Sequence, residues 1–216
     1  MSNFNRSVQR CLAVLRSFRH QPKQTLTSIS NETELPHPTV LRLLGTLEQE
    51  GYIRRDQNMW TLTPQILEIG FAALHSMGVD QFVQEALQSL ADEFSGIVNL
   101  GEKNNNEVII IARATGSAEQ RSLFIMNQRV GNTLPNASSL YQALHAAEDQ
   151  WSLSRYPEHH VVSVSIPVTR DEPRSLALGI SVSIQAFSQA RIEQEVIPKL
   201  RHARQNIRRL MHLGDI

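Results

Sequence analysis

Leu26 to Gly45 of this 216-residue chain read LTSISNETELPHPTVLRLLG. Two short helix-periodic runs flank Leu35-Pro36, and a residue before proline disfavours the α region. One helix must therefore stop there and a second begin just beyond. Pro38 suits the first turn of that second helix, where its missing N–H has no partner anyway. Val40, Leu43, Leu44 and Leu47 give this helix a buried face, and Gly51 is a natural stop. GYIRRDQNMWTLT follows at once. Tyr52 to Arg55 and Met59 to Leu62 read as strands joined at Asp56-Gln57-Asn58, with Asn58 suited to a left-handed turn position. Helix, tight turn, helix and hairpin in this order have the spacing of a winged helix-turn-helix. Spacing alone also fits a small packed unit that contacts protein.

In a helix-turn-helix docked on DNA, the N-terminal residues of the second helix meet base edges. Here they are His37, Thr39 and Val40, with Arg42 and Thr46 further along the exposed side. Arg42 suits a guanine edge or a phosphate, and equally an ion pair with Glu48. Thr39 suits a helix cap, and His37 an inert surface. Thr25, Thr27 and Ser28 sit at the start of the preceding helix, where hydroxyls and backbone N–H groups hold phosphate. Either Thr25 or Thr27 can cap that helix. Arg54 and Arg55 lie on the hairpin, placed to track the backbone or enter the minor groove.

Global charge neither supports nor excludes a nucleic-acid partner: 21 Lys+Arg balance 21 Asp+Glu. Its distribution is more informative. Met1 to Val79 carries 8 basic and 6 acidic residues, Asp80 to Phe187 carries 7 and 12, and Ser188 to Ile216 carries 6 and 3. An acidic middle between mildly basic ends is expected where only one part approaches phosphate. Cys11 is the single cysteine, so no intrachain disulfide forms, which fits a reducing compartment. MSNFNRSVQRC has no apolar core of a signal peptide, and no apolar run nears the roughly 20 residues of a spanning helix. The expectation is a cytoplasmic protein with no membrane partner and no cofactor.

Elsewhere, Ser7 to Phe18 places Val8, Cys11, Leu12, Leu15 and Phe18 on one helical stripe. Pro64 to Met77 is helical again, with Gly78 as the break. Asp80 to Phe94 is an amphipathic helix with Phe82, Ala86, Leu90 and Phe94 on one face. Ile97 to Leu100 and Val108 to Ala112 are strands joined by a polar turn. A helix follows around Leu140 to Ala147. His160 to Pro167 and Leu176 to Ile184 are β-rich, with a turn at Asp171-Glu172-Pro173. Ser188 to His212 is a long helix whose stripe is Ile192, Val196, Leu200, Ala203, Ile207 and Leu210. This order predicts an α+β chain: a DNA-binding domain over 1–63, a linker helix over 64–78, and over 79–216 an antiparallel sheet flanked by helices.

SVQRCLAVLRSF, LTSISNETELPHPTVLRLLGTLEQEGYIRRD and TPQILEIG together resemble the DNA-binding half of the IclR family of bacterial transcription regulators, without an obvious gap from Arg6 to Leu74. The second half is similar but less closely: VNLGEKNNNEVIIIARA, GNTLPNASSLYQALHAA, SVSIPV and ALGISVSI match the order of the family's GAF-like effector domain. The resemblance implies a homodimer, or a dimer of dimers, on a near-palindromic operator in double-stranded DNA. It implies control by a small, organic-acid-like effector, with repression the commoner sign. By position, Asn136, Ala137, Ser138, Ser139, Ser163, Ser181 and Ser183 would line the effector pocket, their hydroxyls suited to a carboxylate.

The chain departs from the family's pattern at four places. Glu34 stands in a turn where glycine is common, which strains the turn. Ser163 stands where a cysteine is frequent, and Tyr141 where a small glycine is usual. Between Ala147 and Val162 the chain is about thirty residues shorter than the usual domain. A second reading therefore keeps DNA binding but makes the shortened domain an oligomerisation or partner-binding platform without a ligand. Catalysis is not expected. Cys11 lies on an apolar stripe, where a thiol is inert. His159-His160 has no Asp or Cys at triad or metal spacing, and no glycine-rich phosphate loop or Gly-x-Ser-x-Gly occurs.

Overall fold

The computed structural model describes residues 4–117, 128–147, 150–170 and 174–213. The chain forms two compact units, Met1–Ala73 and Leu74–Ile216. The Asp171-Glu172-Pro173 turn lies outside the described residues.

The first unit runs α1 (Arg6–Ser17), β1 (Lys23–Thr25), α2 (Leu26–Thr33), α3 (His37–Gln49), β2 (Ile53–Asp56), β3 (Met59–Leu62) and the start of α4 (Gln65–Ser76). Its core is Val14, Phe18, Ile29, Val40, Leu44, Leu47, Ile53 and Trp60. The α1 stripe differs from the expected one. Val14 is fully buried, whereas Val8 and Leu12 are exposed. The expected stripe contained two apolar faces of one helix, and only the face centred on Val14 meets α2 and α3. Thr25 caps α2, its Oγ1 accepting from the Ser28 N–H at 3.1 Å. The sheet has three strands, in the order β1-β3-β2, because Lys23–Thr25 pairs antiparallel with Met59–Thr61. In the wing turn the left-handed residue is Gln57 (φ 54), not Asn58.

Between α2 and α3 the chain turns through Glu34, at φ 56 and ψ 27. The Ser30 hydroxyl donates to the Leu35 carbonyl across this turn. Pro36, extended at φ −60 and ψ 142, then sets the entry into α3. An L-residue with a Cβ pays for the left-handed conformation, whereas glycine does not.

The second unit runs α5 (Gln81–Glu93), β4 (Ile97–Asn104), β5 (Glu107–Thr115), β6 (Thr133–Leu134), α6 (Ser139–His145), β7 (Ser152–Tyr156), β8 (Val161–Thr169), β9 (Leu176–Ser183), α7 (Gln189–Arg191), a π-helical turn (Ile192–Val196) and α8 (Ile197–Leu210). The six strands form one antiparallel sheet, β6-β5-β4-β9-β8-β7. Helices α5 and α8 cover one face, and α6 packs against the other. The buried face of α5 is Val83, Leu87, Leu90, Ala91 and Phe94. Phe82 is 63% exposed, so the expected α5 stripe was centred about one residue off. The π turn precedes Pro198, which has no N–H to continue the regular ladder. Glu102 and Arg174 form a two-pronged ion pair at 2.8 and 2.7 Å, and Arg174 also donates to the Met77 carbonyl. Among the described residues, no helix is long and apolar enough to cross a membrane.

Replacing Glu34 by glycine removes the left-handed strain and, among the described residues, no side-chain hydrogen bond or ion pair. We expect E34G to stabilise the first unit by about 0.5–1 kcal/mol in urea unfolding. An unchanged or lowered midpoint would show that the turn carries no such strain.

Candidate functional sites

Helix α3 is amphipathic in a way that separates packing from recognition. Val40, Leu44 and Leu47 point into the core. Val40 is 0% exposed and cannot reach a base edge, so the expectation of a DNA contact there is corrected. The outward face carries Pro38, Leu41, Arg42, Gly45, Thr46 and Gln49, all exposed. Leu41, Gly45 and Gln49 were not among the sequence candidates. Their signal was the same 3.6 period, read from the face opposite Val40 and Leu44.

Arg42 makes no side-chain hydrogen bond or ion pair among the described residues. Its backbone carbonyl accepts from the Thr46 hydroxyl at 3.1 Å. Glu48, considered as its ion-pair partner, instead accepts from the Arg55 backbone N–H at 3.3 Å. His37 is exposed in the first turn of α3, and Thr39 is half-buried at the edge of the outward face. A glycine inside a helix costs roughly 0.5–1 kcal/mol relative to alanine. A Cβ on Gly45 would meet nothing within 4 Å.

The α2 hydroxyls are partly committed to the fold. Thr25 Oγ1 caps the helix, and Ser28 Oγ lies 3.0 Å from Gln24 Oε1, to which it donates. Gln24 is buried and donates in turn to Ser17 Oγ. Thr27 is exposed. On the wing, Arg54 is exposed, while Arg55 folds back. The Arg55 guanidinium lies 5.5 Å from the Trp60 ring centre and its Nε donates to the Gln57 carbonyl at 2.7 Å.

The second unit has a polar band on the sheet face beneath α6. Paired residues on neighbouring antiparallel strands share a face. The register therefore lines up Arg113, Asn99, Gly179 and Ser165 in one row, and Ser181, Ser163 and Ser154 in the next. Ser138 and Ser139 sit above these rows at the start of α6. Among the described residues, seven of the eleven buried polar ones belong to this one cluster: Asn99, Ser138, Ser139, Ser154, Ser163, Ser165 and Ser181.

These groups satisfy one another. Ser163 Oγ and Ser181 Oγ are 2.6 Å apart, and Ser139 Oγ and Ser165 Oγ 2.7 Å. Arg113 donates to Asn99 Oδ1 at 2.9 Å, and Ser154 donates to the Ala137 carbonyl at 2.7 Å. Burial lowers the Arg113 pKa from its ordinary value by disfavouring the charged form. A Cβ on Gly179 would collide with Ser165 Oγ, so the glycine makes room for that hydroxyl. The described residues leave a cavity of about 20 Å³ here, room for one water.

Of the sequence candidates, Ser138, Ser139, Ser163 and Ser181 come together. Asn136 and Ala137 are exposed and do not line the cavity, although the Ala137 carbonyl holds Ser154. Ser183 borders a different, open cavity of about 620 Å³ with Phe94, Phe187 and Lys199. The resemblance placed it with Ser181, but it is the last residue of β9 and is not among the residues that line the serine cavity. Sequence reasoning missed Asn99, Arg113, Ser165 and Gly179, which only the cross-strand register brings to the serines. Tyr141 lies half-buried in the first turn of α6, its ring stacked on His145 with the ring centres 4.3 Å apart. Cys11 is half-buried, and burial raises its thiol pKa, away from a reactive thiolate.

The IclR helix-turn-helix domain matches residues 7–57 of this chain. The Pca regulon regulatory protein of Pseudomonas putida is 30% identical, over 92% of this chain and 68% of its own length. An IclR family transcriptional regulator from Brucella abortus has the same fold: TM-score 0.77, 24% identity, 95% of this chain and 92% of that one. So does an IclR homologue from Microbacterium hydrocarbonoxydans solved with 4-hydroxybenzoate: TM-score 0.74, 16% identity, 96% of this chain and all of that one.

The paired hydroxyls generate a prediction of their own. Ser163→Ala or Ser181→Ala strands one buried hydroxyl and should cost about 1–3 kcal/mol in thermal or urea unfolding. The double substitution removes both and should cost no more than the worse single one. Additive losses would mean that the two hydroxyls do not depend on each other.

Proposed function

The chain belongs to the IclR family of transcription regulators, and from that premise we propose a homodimer, or dimer of dimers, that represses from a near-palindromic operator. The carrying observation is the outward face of α3, where the Arg42 guanidinium has no partner among the described residues and no acidic residue lies between Pro38 and Thr46. In this reading α3 enters the major groove. Arg42 grips a guanine edge, Thr39 and His37 flank it, and Arg54 follows the backbone on the wing. Two protomers then place their α3 helices one helical turn apart, roughly 34–36 Å. The first unit leaves Phe4, Val8 and Leu12 exposed on or beside α1, and Leu67, Ile69 and Phe71 exposed on α4. Apolar side chains at such spacing suit burial against a second copy.

The polar band beneath α6 is the proposed effector site. A small carboxylate can replace the Ser–Ser partners with charge-assisted hydrogen bonds, and its hydrocarbon can lie against Leu134 and Leu140. Such a ligand acts only by favouring the arrangement in which α6 has made room for it. The 20 Å³ cavity supports a second reading, in which the hydroxyls stay paired and the domain only oligomerises.

Calorimetric titration with 4-hydroxybenzoate and other small aromatic and aliphatic acids separates the two. Saturable binding lost in the Ser163→Ala/Ser181→Ala protein supports an effector. No heat with any of the acids carries the ligand-free reading. For DNA, the purified protein is tested on the sequence upstream of its own gene against random DNA, at two salt concentrations. Arg42→Ala should cost about 1–3 kcal/mol on operator and relax base preference. Arg54→Ala should weaken binding on all sequences and flatten the salt dependence by about one phosphate. An Arg42→Ala protein that matches the parent on both DNAs would remove α3 from the groove.

A further inference from the structure

We infer that Gly45 is a specificity-determining position, the point at which the α3 backbone comes closest to the floor of the DNA groove. This rests on α3 as the reading helix.

Glycine at this position is not explained by folding. Gly45 is the ninth residue of the thirteen-residue α3, inside the helix rather than at either end. Its backbone is ordinary right-handed helix, so it supplies no turn, and it does not have a positive φ. No neighbour crowds it, since a Cβ there would meet open space. Alanine would fit without contact and is the better helix former. The fold of the free protein therefore gains nothing from the missing side chain.

Its location supplies a reason. Leu41, Gly45 and Gln49 follow one another at i, i+4 and i+8 along the exposed face, with Arg42 beside them. An α-helix with its side chains is about 10–12 Å across, and the major groove is about 12 Å wide. At this fit, one bare position on the facing side lets the axis sit deeper by the height of a side chain. A deeper axis brings the Leu41 methyls towards a thymine methyl and the Arg42 guanidinium into bidentate range of a guanine. Glycine thus sets the depth at which its neighbours read. A Cβ at this point would hold the whole face away from the bases while leaving the outlying phosphate contacts largely in reach.

The test is G45A in the full chain, measured by thermal unfolding and by binding to operator and to random DNA. The expected result is a midpoint raised by about 2–4 °C. Operator affinity should fall about tenfold or more, and random-DNA affinity should change little. A raised midpoint with parental operator affinity overturns the inference. A lowered midpoint also overturns it, because the glycine would then serve packing. Arg42→Ala run in parallel separates two failures. If Arg42→Ala loses operator and G45A does not, the Gly45 inference alone is wrong. If both bind as the parent does, α3 is not the reading helix.

Discussion

Strand β8 is the constraint on which the second unit depends. All nine of its residues are buried, so neither face can tolerate a slip in register. VVSVSIPVT sends Val162, Val164, Ile166 and Val168 towards α5 and α8, and Ser163 and Ser165 towards α6. A one-residue shift would put hydroxyls into the apolar core and valines into the serine cluster. The hydroxyls are tolerable where they are only because each finds another across the strand or on the helix above. A buried hydroxyl without a partner loses its water and regains nothing. The register thus fixes two things at once, an apolar layer that holds the sheet and a polar layer that has no need to exist for folding.

That asymmetry separates local polar pairings in this chain from the polarity of the proposed effector site. Ser17 and Gln24, buried in the first unit, form a short chain with Ser28 and fix β1 against α2. They are individual solutions to local geometry. The band of Asn99, Ser163, Ser165 and Ser181 is spread over β4, β8 and β9 and faces Ser139 on a helix. An apolar filling of the same volume would have been at least as stable. A carboxylate entering this site must part the serine pairs, and the energy to do so has to come from the charge it brings.

Much of the first unit was legible because its signals are local. Pro36 and Pro38 punctuate the two helices, Thr25 caps one, and the wing alternates. Glu34, read as a residue out of place in its turn, is indeed held in the left-handed region. What failed was phase and partnership. Both faces of α1 carry apolar residues, and Val14 rather than Val8 or Leu12 is chosen by where α2 and α3 lie. In α5 the eye follows Phe82, the larger side chain, while the sheet takes Val83. Strand β1 is three residues with no alternation of its own and exists only because β3 offers an edge. Strand β7 falls where the chain is shorter than its resemblance leads one to expect. In the second unit Arg113 and Asn99 join the serines through pairings between strands distant in sequence, which no spacing along the chain reveals.

The charge balance gives this arrangement a further consequence. With 8 basic against 6 acidic residues over Met1 to Val79, the part of the chain that carries α3 and the wing has only a small excess of positive charge to offer phosphate. Affinity that does not come from counterion release must come from fit. Arg55 is partly occupied in steadying the wing against Trp60, which leaves Arg54 and Arg42 as the cations placed to reach DNA on the wing and on α3. If α3 is the reading helix as proposed, its one arginine, exposed leucine and bare glycine make it depend on close approach rather than on long-range charge. A weakly charged interface of this kind would discriminate well if doubled as proposed, because each copy would add few contacts that any sequence satisfies. In the proposed dimer the exposed apolar residues on α1 and α4 would bring the second copy, and with it the second set of contacts that the weak charge does not replace.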